Sequence, residues 1–151
     1  RVADLPGHNF RLPNHLAALG NSQLKKLNSF NFARRKIAKE YNKFFTKMGQ
    51  VFEIQNVKKN FTHSYQMYSV LVKKNKRNSL LYFLKKNGVD ASVHFDPPLH
   101  KQDYLKKYSV KLKNTERLSK EILTLPIYPD LSKKNLNFIF KKIETWYKKN
   151  K

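Results

Sequence analysis

The sequence predicts a mixed α/β fold in which one small sheet carries helices packed against it. Segments with helical periodicity alternate with segments of strand composition along the 151 residues, a pattern typical of layered α/β proteins. Apolar residues make up 40% of the chain, enough to form a core, which excludes general disorder. Cysteine is absent, which excludes disulfides, thiolate metal sites and a cysteine nucleophile.

The first predicted element is a long helix, or two helices in succession, over residues 14–48. Pro13 precedes it at a position where a missing N–H costs little, and Gly49 is expected to end it. Gly20 lies inside the pattern and predicts either a kink or the close approach of another backbone. Apolar residues recur at three- to five-residue intervals and form one stripe: Leu16, Leu19, Leu24, Leu27, Phe30, Ile37, Tyr41, Phe44 and Met48.

Two strands with a helix between them are predicted next. Residues 65–72 have strand composition, and residues 89–95 form the second candidate strand, which the prolines after Asp96 end. Asn78 is expected to cap the intervening helix, and Gly88 to close it. The connection between these two predicted strands carries one helix. Such a connection permits the strands to pair in parallel but does not establish it.

The C-terminal third predicts two helices around an extended segment. A short helix over residues 102–107 is followed by a helix that Thr115 caps and that runs through Leu123, and then by an extended segment over residues 125–128. Ser132 is expected to cap the final helix. Its predicted inward residues are Leu136, Ile139, Phe140, Ile143 and Tyr147.

The net charge of +22 is the strongest compositional signal. Such a charge favours nucleic acid or an anionic surface as a partner. However, arginine, which is preferred for reading bases and binding phosphate in a fork, supplies only six of the 32 cations. The lysine pairs are dispersed over the whole chain, so we interpret most of the charge as solvated helix faces. A free-standing basic nucleic-acid-binding module stays open as the alternative.

The sequence predicts neither a membrane-spanning helix nor a secretory signal peptide. No apolar run approaches the roughly 20 residues of a membrane-spanning helix. Residues 1–7 lack the apolar stretch of a signal peptide. We therefore expect a cytoplasmic protein without a membrane partner. Because the sequence does not begin with Met, we also expect it to be a piece of something longer.

Two short segments carry side chains suited to ligands. Residues 94–100 hold His94, Asp96 and His100 around two prolines, in a loop after a predicted strand. We favour a ligand-contacting loop over a metal site, because a metal would need a further ligand and the spacing matches no metal motif. Residues 7–12 place an amide, Asn9, and a guanidinium, Arg11, just before a helix, where a phosphate or carboxylate could bind.

An ordered set of motifs resembles one enzyme family. Residues 7–12 (GHNFRL), followed by AALG at 17–20 and QL at 23–24, are similar to a segment that marks the DegT/DnrJ/StrS family of pyridoxal-phosphate-dependent sugar-nucleotide aminotransferases. Residues 34–41, 63–68 (HSYQMY), 93–100 (VHFDPPLH) and 115–129 (TERL to LPIYP) resemble later motifs of the family, in the same order. The resemblance spans nearly the whole chain.

The resemblance implies the C-terminal part of such an enzyme, with the small-domain fold of fold-type I aminotransferases. Residues 1–48 would be the loop and long helix leaving a large domain, and residues 49–151 the small domain. The lysine that binds the cofactor covalently would precede this chain, so the isolated chain is expected to be inactive. The whole enzyme would move an amino group from an amino acid, with glutamate expected, to a keto sugar nucleotide in polysaccharide or deoxyaminosugar biosynthesis.

The resemblance also implies roles for four residues. Asn9 would contact the cofactor phosphate of the partner subunit in a homodimer, and Arg11 would lie beside it. His94 and His100 would contact the nucleotide-sugar substrate at the mouth of the site. His8, Phe10 and Phe95 depart from the tyrosines common in the family, so no hydroxyl contact is expected there.

Overall fold

The computed structural model describes residues 11–108 and 110–150, with the backbone alone at Lys106. These residues form five α-helices, three strands and two 3₁₀ helices, Leu99–Lys101 and Asp103–Tyr108. The helices and strands are, in chain order, α1 (Asn14–Leu24), α2 (Leu27–Thr46), β1 (Phe52–Ile54), β2 (Tyr68–Val72), α3 (Arg77–Lys86), α4 (Lys113–Glu121), β3 (Ile122–Leu125) and α5 (Lys133–Lys149). The mixed α/β fold is confirmed.

The long N-terminal element is two helices, separated at Lys25 and Lys26 rather than at a glycine. α1 runs through Gly20 without a break, and a Cβ placed there would meet no atom within 4 Å, so no other backbone among the described residues approaches this glycine. α2 ends at Thr46, and a turn continues to Gly49.

The predicted apolar stripe is buried over only half of its length. In α2 it packs into the core through Ile37 and Tyr41, whereas Phe45 rather than the predicted Phe44 is fully buried in the next turn. α1 has no buried residue, and its three stripe leucines and Leu27 at the start of α2 are exposed. α1 contacts only α2 to any extent among the described elements, so its apolar face has no partner in the described part of the chain.

The sheet is antiparallel throughout, in the order β1-β2-β3. The parallel pairing that the crossover permitted is therefore absent from this sheet. The candidate strand at residues 89–95 is wrong: only Ser92 pairs there, in an isolated bridge to Thr124. The preceding amides are used in turns instead, since Val89 N–H donates to the Leu84 carbonyl. The three-residue strand β1 was not predicted.

The core lies on one face of the sheet, under α2, α3 and α5. Alternate residues of β2 point into it, and Tyr41 stacks on Tyr68 with ring centroids 4.5 Å apart. Burial removes these rings from water, the main stabilising contribution of such residues. α5 buries Leu136, Ile139 and Ile143 as predicted, but Trp146 rather than Tyr147 takes the last buried position. α4 packs against β2.

The predicted caps have mixed outcomes. Ser132 is confirmed, because its hydroxyl accepts from the Asn135 amide at 3.1 Å. Asn78 and Thr115 are wrong as caps, since α3 begins at Arg77 and α4 at Lys113. Of the extended segment predicted at residues 125–128, only Leu125 lies in a strand, because β3 spans Ile122–Leu125 and begins directly after α4. The short helix predicted at residues 102–107 is 3₁₀ in character.

Candidate functional site

Arg11 lies just before the N-terminus of α1 and is exposed. It forms no hydrogen bond or ion pair with the other described residues. The N-cap position is Pro13, which provides no side-chain acceptor for the first amides of α1. A guanidinium with no partner in the described part of the chain, beside a helix start without a side-chain cap, suits an anionic ligand such as a phosphate. Asn9 lies outside the described residues.

His94 and His100 lie at the two ends of one loop, residues 94–100. His94 Nε2 is 3.0 Å from the Ser92 hydroxyl, which leaves its other ring nitrogen for a ligand. His100 Nε2 is 3.4 Å from a carboxylate oxygen of Glu116 in α4. Sequence reasoning therefore placed the two histidines correctly in one loop, but the structure does not bring Arg11 into contact with it.

Glu116 ties the far end of this loop to α4. Its carboxylate accepts from the Leu112 amide at 3.2 Å and lies 3.5 Å from Lys101 Nζ, in addition to His100. The Leu112 amide, with smaller contributions from His100 and Lys101, holds the pKa of Glu116 below its usual value. The carboxylate therefore stays ionised around neutral pH and can orient the His100 imidazole.

Arg77, which sequence reasoning missed, is the only buried side chain among the described residues that carries a charge at neutral pH. Its Nη2 donates to Asp96 Oδ2 at 2.6 Å, in the middle of the loop. Its Nη1 donates to the carbonyls of Ser119 and Ile122 at 3.2 and 3.3 Å. A signal was available: Arg77 begins a helix, where positive charge is disfavoured unless an anion is near.

A cleft of about 330 Å³ separates the loop from α4. It is lined by His94, Phe95, Leu99, Leu118 and Ile122, among other residues. Phe95 is 77% exposed and has a positive φ of 63°, an uncommon conformation for a large side chain. An exposed aromatic ring and a free imidazole nitrogen at one opening can bind a ligand that carries both a ring and polar groups.

Neither a metal centre nor a membrane span emerges from the described residues. His94, Asp96 and His100 each face a different protein partner, and no group of three possible ligands converges within residues 11–108 and 110–150. None of the helices in that part of the chain is long and apolar enough to cross a membrane. The lysine side chains described there are all at least partly exposed, as expected for solvated faces.

Curated relatives match the chain over most of its length but only part of their own. It is 27% identical to the pleiotropic regulatory protein of Geobacillus stearothermophilus over 146 residues, which are 94% of this chain and 39% of that protein. It is 29% identical over 136 residues to the UDP-4-amino-4,6-dideoxy-N-acetyl-beta-L-altrosamine transaminase of Campylobacter jejuni, covering 88% of this chain and 36% of the transaminase.

Solved structures show the same relationship. Helicobacter pylori PseC, an aminotransferase involved in the biosynthesis of pseudoaminic acid, superimposes with a TM-score of 0.85 at 25% identity, covering 98% of this chain and 41% of PseC. A DegT DnrJ EryC1 StrS aminotransferase from Brucella abortus gives 0.81 at 26% identity, covering 95% and 40%. The chain thus spans about two-fifths of the length of these proteins.

The family itself follows from a match along almost the entire sequence. The family model described as the DegT/DnrJ/EryC1/StrS aminotransferase family matches residues 1–144. This range includes the motif around Asn9 and Arg11, the loop at residues 94–100 and most of α5. The chain therefore belongs to the DegT/DnrJ/EryC1/StrS aminotransferase family.

Proposed function

We propose that this chain is the C-terminal part of an aminotransferase that moves an amino group from an amino acid, glutamate by expectation, to a keto sugar nucleotide. The observation that carries the proposal is the family match over residues 1–144. The Campylobacter jejuni transaminase and Helicobacter pylori PseC, both named for amino-sugar chemistry, support the substrate class. The pathway would be polysaccharide or deoxyaminosugar biosynthesis, in the cytoplasm.

The exposed face of α1 supports a longer protein. Leu16, Leu19, Leu24 and Leu27 are exposed on α1 and on the start of α2, and a contiguous apolar stripe of this kind is normally covered. The relatives are about two and a half times as long as the matched segment. We assign residues 1–48 to the connection from a large domain and residues 49–151 to the small domain.

The direct test is transamination by the full-length protein. The purified protein is incubated with glutamate and a panel of 3-keto and 4-keto nucleotide sugars, and the products are identified by mass spectrometry. Amine transfer to at least one nucleotide sugar is the expected result. Transfer only to free keto acids, or no transfer by protein that has taken up the cofactor, would contradict the proposal.

The isolated chain is proposed to be inactive, since the cofactor-binding lysine would lie in the large domain. The chain is mixed with pyridoxal phosphate, reduced with borohydride and digested for peptide mapping. We expect only scattered, substoichiometric labelling of the 26 lysines. Stoichiometric labelling of one specific lysine would contradict the proposed division of the enzyme.

Asn9 and Arg11 are the residues of this chain that would hold the cofactor. Aminotransferases of this family use pyridoxal phosphate, which supplies the electron sink for amino-group chemistry when bound. The guanidinium of Arg11, which has no partner among the described residues, lies beside the uncapped start of α1 and fits a phosphate. The Asn9 amide N–H would donate a further hydrogen bond to it.

A homodimer is proposed because the Asn9 contact would be made to the partner subunit. Asn9→Ala should weaken cofactor retention by about one to two decades without unfolding the protein, the value of one hydrogen bond to a charged group. Mixing an Asn9→Ala subunit with a subunit that lacks the cofactor-binding lysine should restore activity, because the Asn9→Ala subunit keeps its lysine and receives a wild-type Asn9. If Asn9 acts within its own subunit, no intact site forms and the mixture stays inactive.

His94 and His100 are proposed to lie at the substrate site, with different tasks. The free ring nitrogen of His94 and its place at the cleft support a direct contact with the nucleotide sugar. The imidazole of His100 faces Glu116, which supports a task in holding the end of the loop. His94→Ala should therefore raise the KM for the nucleotide sugar more than His100→Ala, measured at saturating amino donor.

The alternative of a free-standing nucleic-acid-binding module has no support from the comparisons. Its only basis is the charge of +22, and the exposed lysines are distributed over α2, α3, α4 and α5 rather than gathered in one element. The aminotransferase is therefore the one function we propose.

A further inference from the structure

The guanidinium of Arg77 joins three segments that are far apart in sequence. Arg77 begins α3, is 5% exposed, and contacts Asp96 in the loop, Ser119 near the end of α4 and Ile122 at the start of β3. Its Nε is buried and has no hydrogen-bond partner among the described residues. The two Nη groups therefore make all of the contacts that offset the desolvation of this charge.

The loop between residues 93 and 99 depends on few other contacts. It is anchored at its start by the Ser92–Thr124 bridge. At its end, Gln102 donates to the Pro97 carbonyl at 3.0 Å and His100 faces Glu116. Between these ends, Asp96 is the one residue whose side chain forms an ion pair with the rest of the described fold. Phe95 and Leu99, on either side of it, are largely exposed.

We propose that Arg77 is a positioning residue that holds the loop of residues 93–99 at the substrate cleft. Its forked guanidinium serves Asp96 and two carbonyls at once, which a lysine ammonium on a flexible stem cannot reproduce. The two carbonyls belong to α4 and β3, which line the cleft. Arg77 therefore fixes the distance between the loop and this side of the cleft. This inference rests on the proposed function in one respect only, the identification of the ligand in the cleft as a nucleotide sugar.

The first test measures loop order and needs no activity. Hydrogen exchange of the full-length protein is followed by mass spectrometry in wild type, Arg77→Lys and Arg77→Met. In Arg77→Met we expect peptides covering residues 92–102, in which the amides of Ser92, Lys101 and Gln102 donate hydrogen bonds, to exchange about ten- to hundredfold faster, the value of a hydrogen bond to a charged group. Arg77→Lys should lie between Arg77→Met and wild type. Peptides from α5 should be unchanged.

Matched variants separate positioning from general stability. Arg117→Met is the same chemical change as Arg77→Met, but it removes an exposed ion pair on α4, in which Arg117 Nη1 lies 2.6 Å from Glu121 Oε2. It should leave the hydrogen exchange of the loop peptides unchanged. Asp96→Asn removes the charge from the half-exposed side of the pair and tests the same contact even if Arg77→Met does not fold. Unchanged exchange of residues 92–102 in Asp96→Asn, or an equal rise in the exchange of α5 in Arg77→Met, would overturn the proposal.

The second test uses the two half-reactions. Arg77→Lys should raise the KM for the nucleotide-sugar acceptor about tenfold, as expected for a misplaced binding loop, and leave the rate of the amino-donor half-reaction unchanged. Equal effects on both half-reactions would overturn a positioning task at the acceptor site. If the wild-type protein transfers no amine, the proposed function fails, whereas the exchange experiment still decides whether Arg77 holds the loop.

Discussion

The contribution of burial to stability can be measured by one pair of matched leucine substitutions, one in the core and one on the exposed half of the apolar stripe. Leu84 in α3 is 0% exposed, whereas Leu19 in α1 is 56% exposed. Both lie within helices, so Leu→Ala changes intrinsic helix propensity equally and slightly at each site. Any difference between the two variants therefore reports burial.

The expected magnitudes follow from these exposures. Leu84→Ala removes fully buried methyl groups and leaves a cavity, so it should lower the free energy of unfolding by about 2–5 kcal/mol. Leu19 has less than half of its side chain removed from water, so Leu19→Ala should cost less than about 1 kcal/mol. The assay is urea unfolding of the 151-residue chain, followed by the fluorescence of its single tryptophan, Trp146, which is 2% exposed.

An equal loss of stability in the two variants would refute this reasoning, because it would mean that α1 is packed in the isolated chain. The full-length protein provides the complementary measurement. If the rest of the protein covers α1, Leu19→Asp should destabilise the full-length protein strongly and the isolated chain hardly at all. Equal, small effects in both would contradict the proposed covering of α1.

Three further predictions follow. Tyr41→Phe should lower the free energy of unfolding, measured in urea, by about 1–3 kcal/mol, because the Pro126 carbonyl loses the hydroxyl that donates to it at 2.9 Å. Tyr82→Phe, at an exposed position, is the control. Equal losses of stability in the two variants would contradict a contribution from this hydrogen bond. The pKa of Glu116 is lowered chiefly by the Leu112 amide, so its stabilisation is present above the ordinary carboxyl pKa and is lost as the pH falls through the lowered value. Thermal unfolding between about pH 5 and about pH 3 should therefore be less acid-sensitive in Glu116→Gln than in wild type, and identical profiles would argue against this contribution. Nucleic-acid binding, if detected by filter retention, should weaken steeply with the logarithm of salt concentration and discriminate between sequences by less than about 10³; a higher ratio at physiological salt would indicate a specific site.

Local patterns predicted those elements whose stability is largely local. The stripe of α5 and the Ser132 cap are confirmed, because a helix with one buried face and a hydroxyl at its start needs little information from elsewhere. β2 is confirmed in type but begins at Tyr68, three residues after the predicted start. β1 was missed because a three-residue strand has no periodicity to detect.

The candidate strand at residues 89–95 failed for a non-local reason. Its composition suits a strand, but a ladder needs a partner with free backbone groups. Only Ser92 meets β3, and the turn after α3 already uses the amides of Val89 and Ala91. Similarly, the spacing of the leucines correctly predicted that α1 is a helix. The spacing does not indicate whether the residues that would cover these leucines lie within this 151-residue chain.

The candidate site could be predicted in part. The histidines were located because they flank two prolines after an apolar run, which marks a loop from sequence alone. Arg77 was missed because its partners, Asp96, Ser119 and Ile122, are 19 to 45 residues away. Asn9 and Arg11 were assigned by family resemblance, and their roles stay predictions.

The antiparallel order β1-β2-β3 has a consequence for how the protein folds. The nearest paired residues of β1 and β2 are Ile54 and Val70, whereas those of β2 and β3 are Leu71 and Ile122. The second pairing closes a much longer loop and has the larger entropic barrier, so we expect β3 to join the sheet late. Thr124 and Ile122, which anchor the loop of residues 93–99 through Ser92 and Arg77, arrive only with β3. During synthesis, the cleft therefore forms only after β3 has left the ribosome, well after the packing of α2 against β1.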